Sequence, residues 1–533
     1  MNPSDPCGHH HDSGCQCCGA GGIARLRGPL GTLSRRGFLS GATATGVSTM
    51  VFSSLSLQAL RAETGRPAAP QGRPLRIQPA LVYQVPARRE GTSWRNWGAI
   101  QTEEQARQEQ ARIEGELQQM KAAAGFPLEL LPVAMVKTTA EAGALAKGDH
   151  DGALIYAAGG WVDTLEALAN PAKWNIMFLR HRSGPVYLWY EIAHNRFLRK
   201  TVDQFGQPGM GVDDVVVDDH QDVLWRLRAL HGLKRILGRR VLTIGGASGW
   251  GEGGRTAPQR ARDLWKLDLV DVSYPDLGKL IDEANRDAAL VASCRQAADA
   301  YLAGQAVSLE TDRGFVDRAF VLTEVFRRAM DAAGTDVMTI NACMGTIMDV
   351  SKTTACLPLS LLNDEGRLAF CESDFVVIPS GILLQAISGT PVFLNDPTYP
   401  HHGEVTLAHC TAPRRMGGKE PEPVRVLTHF ESDYGAAPKV EMRKGQLVTN
   451  LVPDFASTKW VGFEGEIIDA PFLDICRSQI DVAIHGDAAR LLREMGGFHW
   501  MTCYGNHLRE VGYALAKVGV QFIDLSRQPA AEA

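Results

Sequence analysis

From residue 79 to residue 396, short apolar runs that stop at glycine or another small residue alternate with longer charged segments of helical periodicity. This alternation restricts the chain more than any other feature, because strands separated by helices return in the same direction and pair as a parallel sheet. In the first set the strand candidates are 79–85, 152–157, 175–179 and 186–189, with helices over 102–123 and 221–237. A second set opens at 239–246, where a strand runs into Gly245 and Gly246. It continues with a strand at 267–272, helices at 274–285 and 312–333, a strand at 336–340 and a helix at 355–363. Past Asp396 the runs become short and alternating (404–409, 424–429, 439–442, 460–468), with Pro and Gly between them, and read as a β-rich region. A helix and a strand over 508–525 close the chain. The expected fold is α/β: two doubly wound α/β domains, 76–237 and 238–390, followed by a β-rich C-terminal domain, 391–533.

At 533 residues the chain is too long for one ordinary core. A net charge of −5 leaves no basic footprint for nucleic acid, so that class is set aside. The N-terminus reads differently from the rest. Leu33-Ser34-Arg35-Arg36-Gly37-Phe38-Leu39 places an arginine pair before a weakly apolar Ala/Thr/Ser/Gly-rich run to Leu60. Residues 1–62 therefore look like a twin-arginine export signal, cleaved near Ala62, followed by a Pro/Gly/Arg-rich linker over 63–75. The expected partner is the Tat export machinery and the expected location periplasmic, or cytoplasmic if the signal is not used. No later stretch reaches about 18 apolar residues without a charge, so no stable membrane span is expected in the mature chain. Cys7, His9, His10, His11, Cys15, Cys17 and Cys18 fall inside the signal and read as a low-complexity segment discarded with it. The remaining cysteines (Cys294, Cys343, Cys356, Cys371, Cys410, Cys476, Cys503) show no CxxC spacing, and their odd number argues against a full disulfide framework.

Chemistry is concentrated between Cys371 and Asp396, CESDFVVIPSGILLQAISGTPVFLND. Glu372 and Asp396 stand at the edges of apolar runs, with a helix-like segment over 375–386 and a strand-like one over 390–394 between them. Paired acids at element ends suit metal binding or proton transfer better than packing. Taken singly, each has an ordinary reading: Glu372 as a first-turn helix residue, Asp396 before Pro397 as a turn residue. Asp374 reads first as a helix cap. The glycine turn Gly245-Gly246-Ala247-Ser248-Gly249-Trp250-Gly251 follows a strand but matches neither GxGxxG nor GxxxxGK[ST], and so identifies no nucleotide. The Asp pairs at 213–214 and 218–219 read as a solvated loop before a helix.

Four stretches together resemble the L-fucose isomerase and L-arabinose isomerase superfamily. They are the strand and glycine turn at 241–251 with the strand at 267–271; Asn341-Ala342-Cys343 with Cys356, Asn363-Asp364-Glu365-Gly366 and Cys371-Glu372-Ser373-Asp374; Ile387-Ser388-Gly389-Thr390-Pro391-Val392-Phe393 ending at Asp396; and Gly497-Phe498-His499 with Tyr504-Gly505. The resemblance implies a divalent ion, usually Mn²⁺, held by Glu372, Asp396 and His499. Two carboxylates and an imidazole suit Mn²⁺ better than a closed zinc site.

It further implies aldose–ketose isomerisation of a monosaccharide through an enediol, with Glu372 and Asp396 as base and acid in an order the sequence does not assign. A homo-oligomer is implied as well. Where the family often has a His pair or an Asn beside the ligand, this chain has Phe498 and Trp500. His409 and His507 are further candidates for the site. Two alternatives stay open: a metal-dependent epimerase or lyase acting on a sugar derivative, and a non-catalytic carbohydrate-binding protein.

Overall fold

The computed structural model describes residues 73–187, 193–200 and 207–526. The export signal expected over 1–62, its Cys/His-rich tail and most of the linker lie outside the described residues. Among the described residues, no helix is long and apolar enough to cross a membrane.

The first sheet is parallel throughout. β1 (Leu75–Val82) pairs with β2 (Leu128–Leu130), β3 (Ala134–Val136) and β4 (Gly152–Ala157); β4 pairs with β5 (Trp174–Leu179), and β5 with β6 (Val215–Val217). All six residues of β4 are buried, which is why it reads as a continuous apolar run rather than an alternating one. Helices α1 (Glu103–Ala123), α2 (Thr139–Ala146), α3 (Val162–Leu168) and α4 (His220–Ile236) connect and follow these strands. α1 starts at Thr102, whose hydroxyl accepts from Gln105 N while the Gln105 side chain accepts from Thr102 N. Two acids of this charged helix turn inward: Glu109 and Glu116 bind the fully buried Arg180 at 2.6 and 2.5 Å. A guanidinium out of water is tolerable only with such partners. Of the strand expected at 186–189, Val186 and Tyr187 are irregular and the rest lies outside the described residues.

A second parallel sheet has the order β11-β10-β7-β8, from β7 (Arg240–Ile244), β8 (Asp268–Val272), β10 (Val337–Ile340) and β11 (Leu368–Phe370). Its helices are α5 (Ala257–Leu264), α6 (Tyr274–Arg286), α7 (Ala288–Leu302), α8 (Arg313–Ala333), α9 (Thr346–Ser351), α10 (Cys356–Asp364) and α11 (Ile378–Ser388). α11 begins with Pro379 in its first turn and stops at Gly389, whose φ of 71° a side chain would resist. β9 (Val307–Leu309) leaves this unit and pairs in parallel with β14 (Val424–His429), which pairs antiparallel with β15 (Tyr434–Val440).

The C-terminal unit is an antiparallel barrel. β12 (Phe393–Pro397), β13 (Glu404–His409), β16 (Leu447–Pro453), β17 (Lys459–Asp469), β18 (Ser478–His485) and β19 (Trp500–Tyr504) run in the order β16-β19-β12-β13-β18-β17, and a β16–β17 ladder closes the ring. Closure removes the free edges that an open sheet would expose. β20 (Gln521–Asp524) adds in parallel to β17, and α12 (Ala488–Glu494) and α13 (Leu508–Lys517) complete the unit. α13 returns to the first unit, where the Tyr513 hydroxyl donates to the buried Asp214 at 2.5 Å. That acid of the 213–214 pair is thus a tether between units. Asp218 accepts from the backbone of His181, Arg182 and Ser183, and Asp219 caps α4.

α4 packs against α11, the helix that follows Glu372, and Gly232 sets how closely they approach. A Cβ there would stand 2.6 Å from Ile387 Cγ1 and 3.2 Å from Leu383 Cδ1. Overpacking of this kind costs about 1–3 kcal/mol, so Gly232→Ala should lower the denaturant midpoint at unchanged slope. Beside it His231 is buried against Phe126, with ring centroids 5.1 Å apart. Burial, with Arg235 next, pushes its imidazole down from 6.5 to about 4. The unfolded chain then binds the proton more readily. Stability is full above the unfolded pKa and falls as pH drops toward 4, by up to about 3 kcal/mol. His231→Phe should flatten that part of the stability–pH curve in urea titrations; an unchanged curve would show that other groups produce it.

Candidate metal centre

Three adjacent strands of the barrel bring distant residues together. β12 lies between β19 and β13, with Asn395 opposite Trp500 and Asp396 opposite Ala408. One residue along, His499 before β19 comes opposite Asp396, and His409, the last residue of β13, lies one position further, level with Asn395. A separation of 103 positions between Asp396 and His499 is closed by strand pairing alone.

Glu372 arrives from the second unit, in the turn between β11 and α11. Glu372 and Ser373 have φ of 63° and 50°, two successive left-handed residues that are not glycine. Each costs of order 1–3 kcal/mol and persists only where the surroundings enforce it. Here Ser373 N donates to Thr339 Oγ1, Ser248 N donates to Ser373 O, and Phe375 N donates to Ser248 O. The glycine-rich loop after β7 thus acts as the brace of this turn.

The side chains converge. His499 Nε2 stands 3.2 Å from Glu372 Oε2 and 3.2 Å from Asp396 Oδ1, and His409 Nε2 is 3.8 Å from Glu372 Oε1. Glu372, His409 and His499 present donor atoms all within 4.8 Å of one another, and Asp396 joins through its contact with His499. Asp396 Oδ1 and His499 Nε2 are buried and lack a hydrogen-bond partner despite their proximity. Unpaired buried polar atoms are costly, and donors gathered without hydrogen-bond geometry fit a cation between them. Around an ion with bonds of about 2.0–2.2 Å, neighbouring ligands stand about 3.0 Å apart in an octahedron and about 3.5 Å in a tetrahedron. The observed 3.2 Å falls in that interval. Glu372, His409 and His499 are the donors that converge to hold an ion; Asp396, expected as a ligand, contacts His499 but lies outside their 4.8 Å set and would have to move to join them.

Orientation is fixed from behind. Asp374 Oδ2 accepts from His499 Nδ1 at 2.7 Å, leaving Nε2 toward the carboxylates, and Thr411 Oγ1 contacts His409 Nδ1 at 2.9 Å. Asp374 is therefore more than the helix cap expected, since its other oxygen also accepts from Trp250 N and Val376 N. Burial pushes the Glu372 carboxyl up, but the facing imidazoles of His499 and His409 outweigh it and hold the group well below the usual range. Burial likewise lowers both imidazoles, and the facing carboxylates outweigh it and raise them. The histidine side chains are 1% and 4% exposed, whereas Glu372 and Asp396 are 24% and 27% exposed. The imidazoles are enclosed and the acids are partly exposed.

Sequence reasoning missed the aromatic stack beside this site. Trp250, from the glycine-rich loop, stacks on Phe498 with centroids 3.9 Å apart and planes 10° from parallel, and Phe498 meets His499 edge-on at 4.9 Å. The Phe–His adjacency was visible, but no local signal places Trp250 beside it. Trp500, in contrast, is fully buried against Phe463 in the barrel core. His507 stands before α13, its backbone donating to Thr449, and is not among the converging donors. His401 and His402 lie in the exposed β12–β13 turn.

Groups that orient a ligating imidazole typically contribute 10–100-fold to metal affinity. Asp374→Asn should weaken Mn²⁺ binding by about that factor, read by calorimetry, and should also lower the unfolding midpoint, because it leaves buried His499 without its charged partner. Equal affinity in both proteins would reduce Asp374 to a loop brace.

Compared with known proteins, the chain matches no family model, and no curated protein matches it.

Proposed function

We propose that this site performs metal-dependent aldose–ketose isomerisation of a monosaccharide, as the resemblance to the L-fucose and L-arabinose isomerases implies. The observation that supports it is the convergence of the partly exposed Glu372 carboxylate on the buried imidazoles of His409 and His499, with Asp396 in contact with His499, at the seam between an α/β unit and a barrel. The reading takes both parallel sheets as doubly wound, in keeping with the alternation of strand and helix along 75–388. It also takes the mature protein as an exported homo-oligomer acting on a sugar that reaches it outside the cytoplasm.

A divalent ion such as Mn²⁺, when bound, supplies Lewis-acid polarisation of the carbonyl and the neighbouring hydroxyl of an open-chain sugar. The residues of the chain do the rest. One of Glu372 and Asp396 takes the proton from C2 and the other returns a proton to C1, so that an enediol links aldose and ketose. Both carboxylates are partly exposed, within reach of a substrate that the buried histidines cannot touch directly. Asp374 keeps His499 in one tautomer with Nδ1 protonated, and so keeps Nε2 free as a ligand. The Trp250–Phe498 stack offers an apolar face against which the C–H side of a sugar can lie.

The test is ketose formation from a panel of free aldoses by the Mn²⁺-loaded protein, beside Glu372→Gln and Asp396→Asn. Wild type should convert at least one aldose, with each variant losing about 10²–10⁴-fold in kcat while remaining folded. Bound Mn²⁺ with no ketose from any aldose would move the site to epimerase or lyase chemistry on a sugar derivative. No bound metal would leave a carbohydrate-binding protein.

A further inference from the structure

Cysteines crowd the same corner of the molecule. Among the described residues, two sets of three donors converge within 4.8 Å: Glu372 with His409 and His499, and Glu372 with Cys343 and Cys371. The two cysteines of the second set play no part in the isomerase reading. Cys343 follows β10 and Cys371 follows β11, and these strands pair in parallel with Thr339 opposite Phe370. Both loops thus leave the C-terminal edge of the sheet side by side, the edge at which parallel sheets bind ligands. Both turns are strained, with φ of 51° at Ala342 and 63° at Glu372, and they bring the two sulfurs to 3.1 Å from each other. The thiols are buried, with 7% and 4% of each residue exposed, and Glu372 is the member open to solvent.

We propose that Cys343, Cys371 and Glu372 form a second, sulfur-rich metal subsite for a thiophilic d¹⁰ cation such as Zn²⁺ or Cd²⁺, with Glu372 shared between it and the oxygen–imidazole centre. Thiolates select soft and borderline ions, whereas carboxylates and water select Mg²⁺ or Mn²⁺, so the two donor sets discriminate between metals at neighbouring positions. Three protein ligands leave a fourth position for water or substrate, the arrangement of a reactive rather than a closed site. In a tetrahedral site with Zn–S bonds of about 2.3 Å, two sulfurs stand about 3.8 Å apart, so the pair opens by about 0.7 Å to take the ion. Closing to a disulfide requires a larger movement, about 1 Å. As the metal binds, the two thiol protons pass to solvent. The nearby Cys410 touches Cys356, Cys476 and His429, but these do not form a mutually converging set.

The experiment is a Cd²⁺ titration of the full chain kept reduced with a phosphine, followed by the ultraviolet cadmium–thiolate band and by equilibrium dialysis. Wild type should bind one Cd²⁺ more per chain than Cys343→Ser/Cys371→Ser and show a larger band; the N-terminal cysteines are present in both proteins and cancel. Cys356→Ser/Cys476→Ser should keep the increment. Asp396→Asn should keep it too while losing Mn²⁺, which separates this subsite from the isomerase centre. Identical stoichiometry and band in wild type and Cys343→Ser/Cys371→Ser would overturn the proposal. Should that variant fail to fold, wild type still decides: Cd²⁺ should protect Cys343 and Cys371 from alkylation in peptide maps, and equal labelling with and without Cd²⁺ would overturn it.

Discussion

The hydrogen bond between Asp374 and His499 joins the two halves on which the site depends. At 2.7 Å, between side chains each 1% exposed, it spans from the turn after β11 to the residue that enters β19. The same carboxylate accepts from Trp250 N and Val376 N, so one residue fixes the glycine-rich loop, the strained turn carrying Glu372 and the imidazole of His499. A buried charge-assisted pair of this kind resists dissection. Removing either partner strands the other in a medium of low polarity.

The barrel supplies the second constraint. Antiparallel pairing of β12 with β13 and β19 brings His409, at the end of β13, and His499, in the loop just before β19, alongside Asp396. Of these residues and Glu372, only Glu372 depends on the docking of another unit, and that docking runs through α11. Gly381 shows how tight the seat is, since a Cβ there would lie 2.7 Å from both Met501 Cε and Phe370 Cε1. The donors are therefore held by rigid elements on both sides, and their cost in backbone strain is confined to Glu372 and Ser373. A proposed metal centre built in this way is preorganised.

Much of this was legible in the amino-acid order. The apolar run 152–157 and the largely apolar 240–244 announced buried parallel strands, and 404–409 and 424–429 gave the later strands to the residue. The sequence marks His409 only as a further candidate beside His507, and the structure brings it, not His507, to the site. β16 and β19 were not seen, because strands buried on both faces lose the period of two that marks them; β18 keeps that period at Ile480, Val482 and Ile484 and was passed over. Nor could local reading assign Asp374, whose sequence context is that of a turn and whose partner is 125 positions away. Trp250 failed for the same reason: glycine spacing describes its loop, whereas its stacking partner belongs to another unit.

The most direct test of the account is a crystal soaked in Mn²⁺ and measured for anomalous scattering. The account predicts one manganese peak bonded to Glu372, Asp396 and His499 at about 2.0–2.3 Å, with His409 at or next to the ion. A map with no peak there, or with manganese bound only elsewhere on the chain, would contradict it.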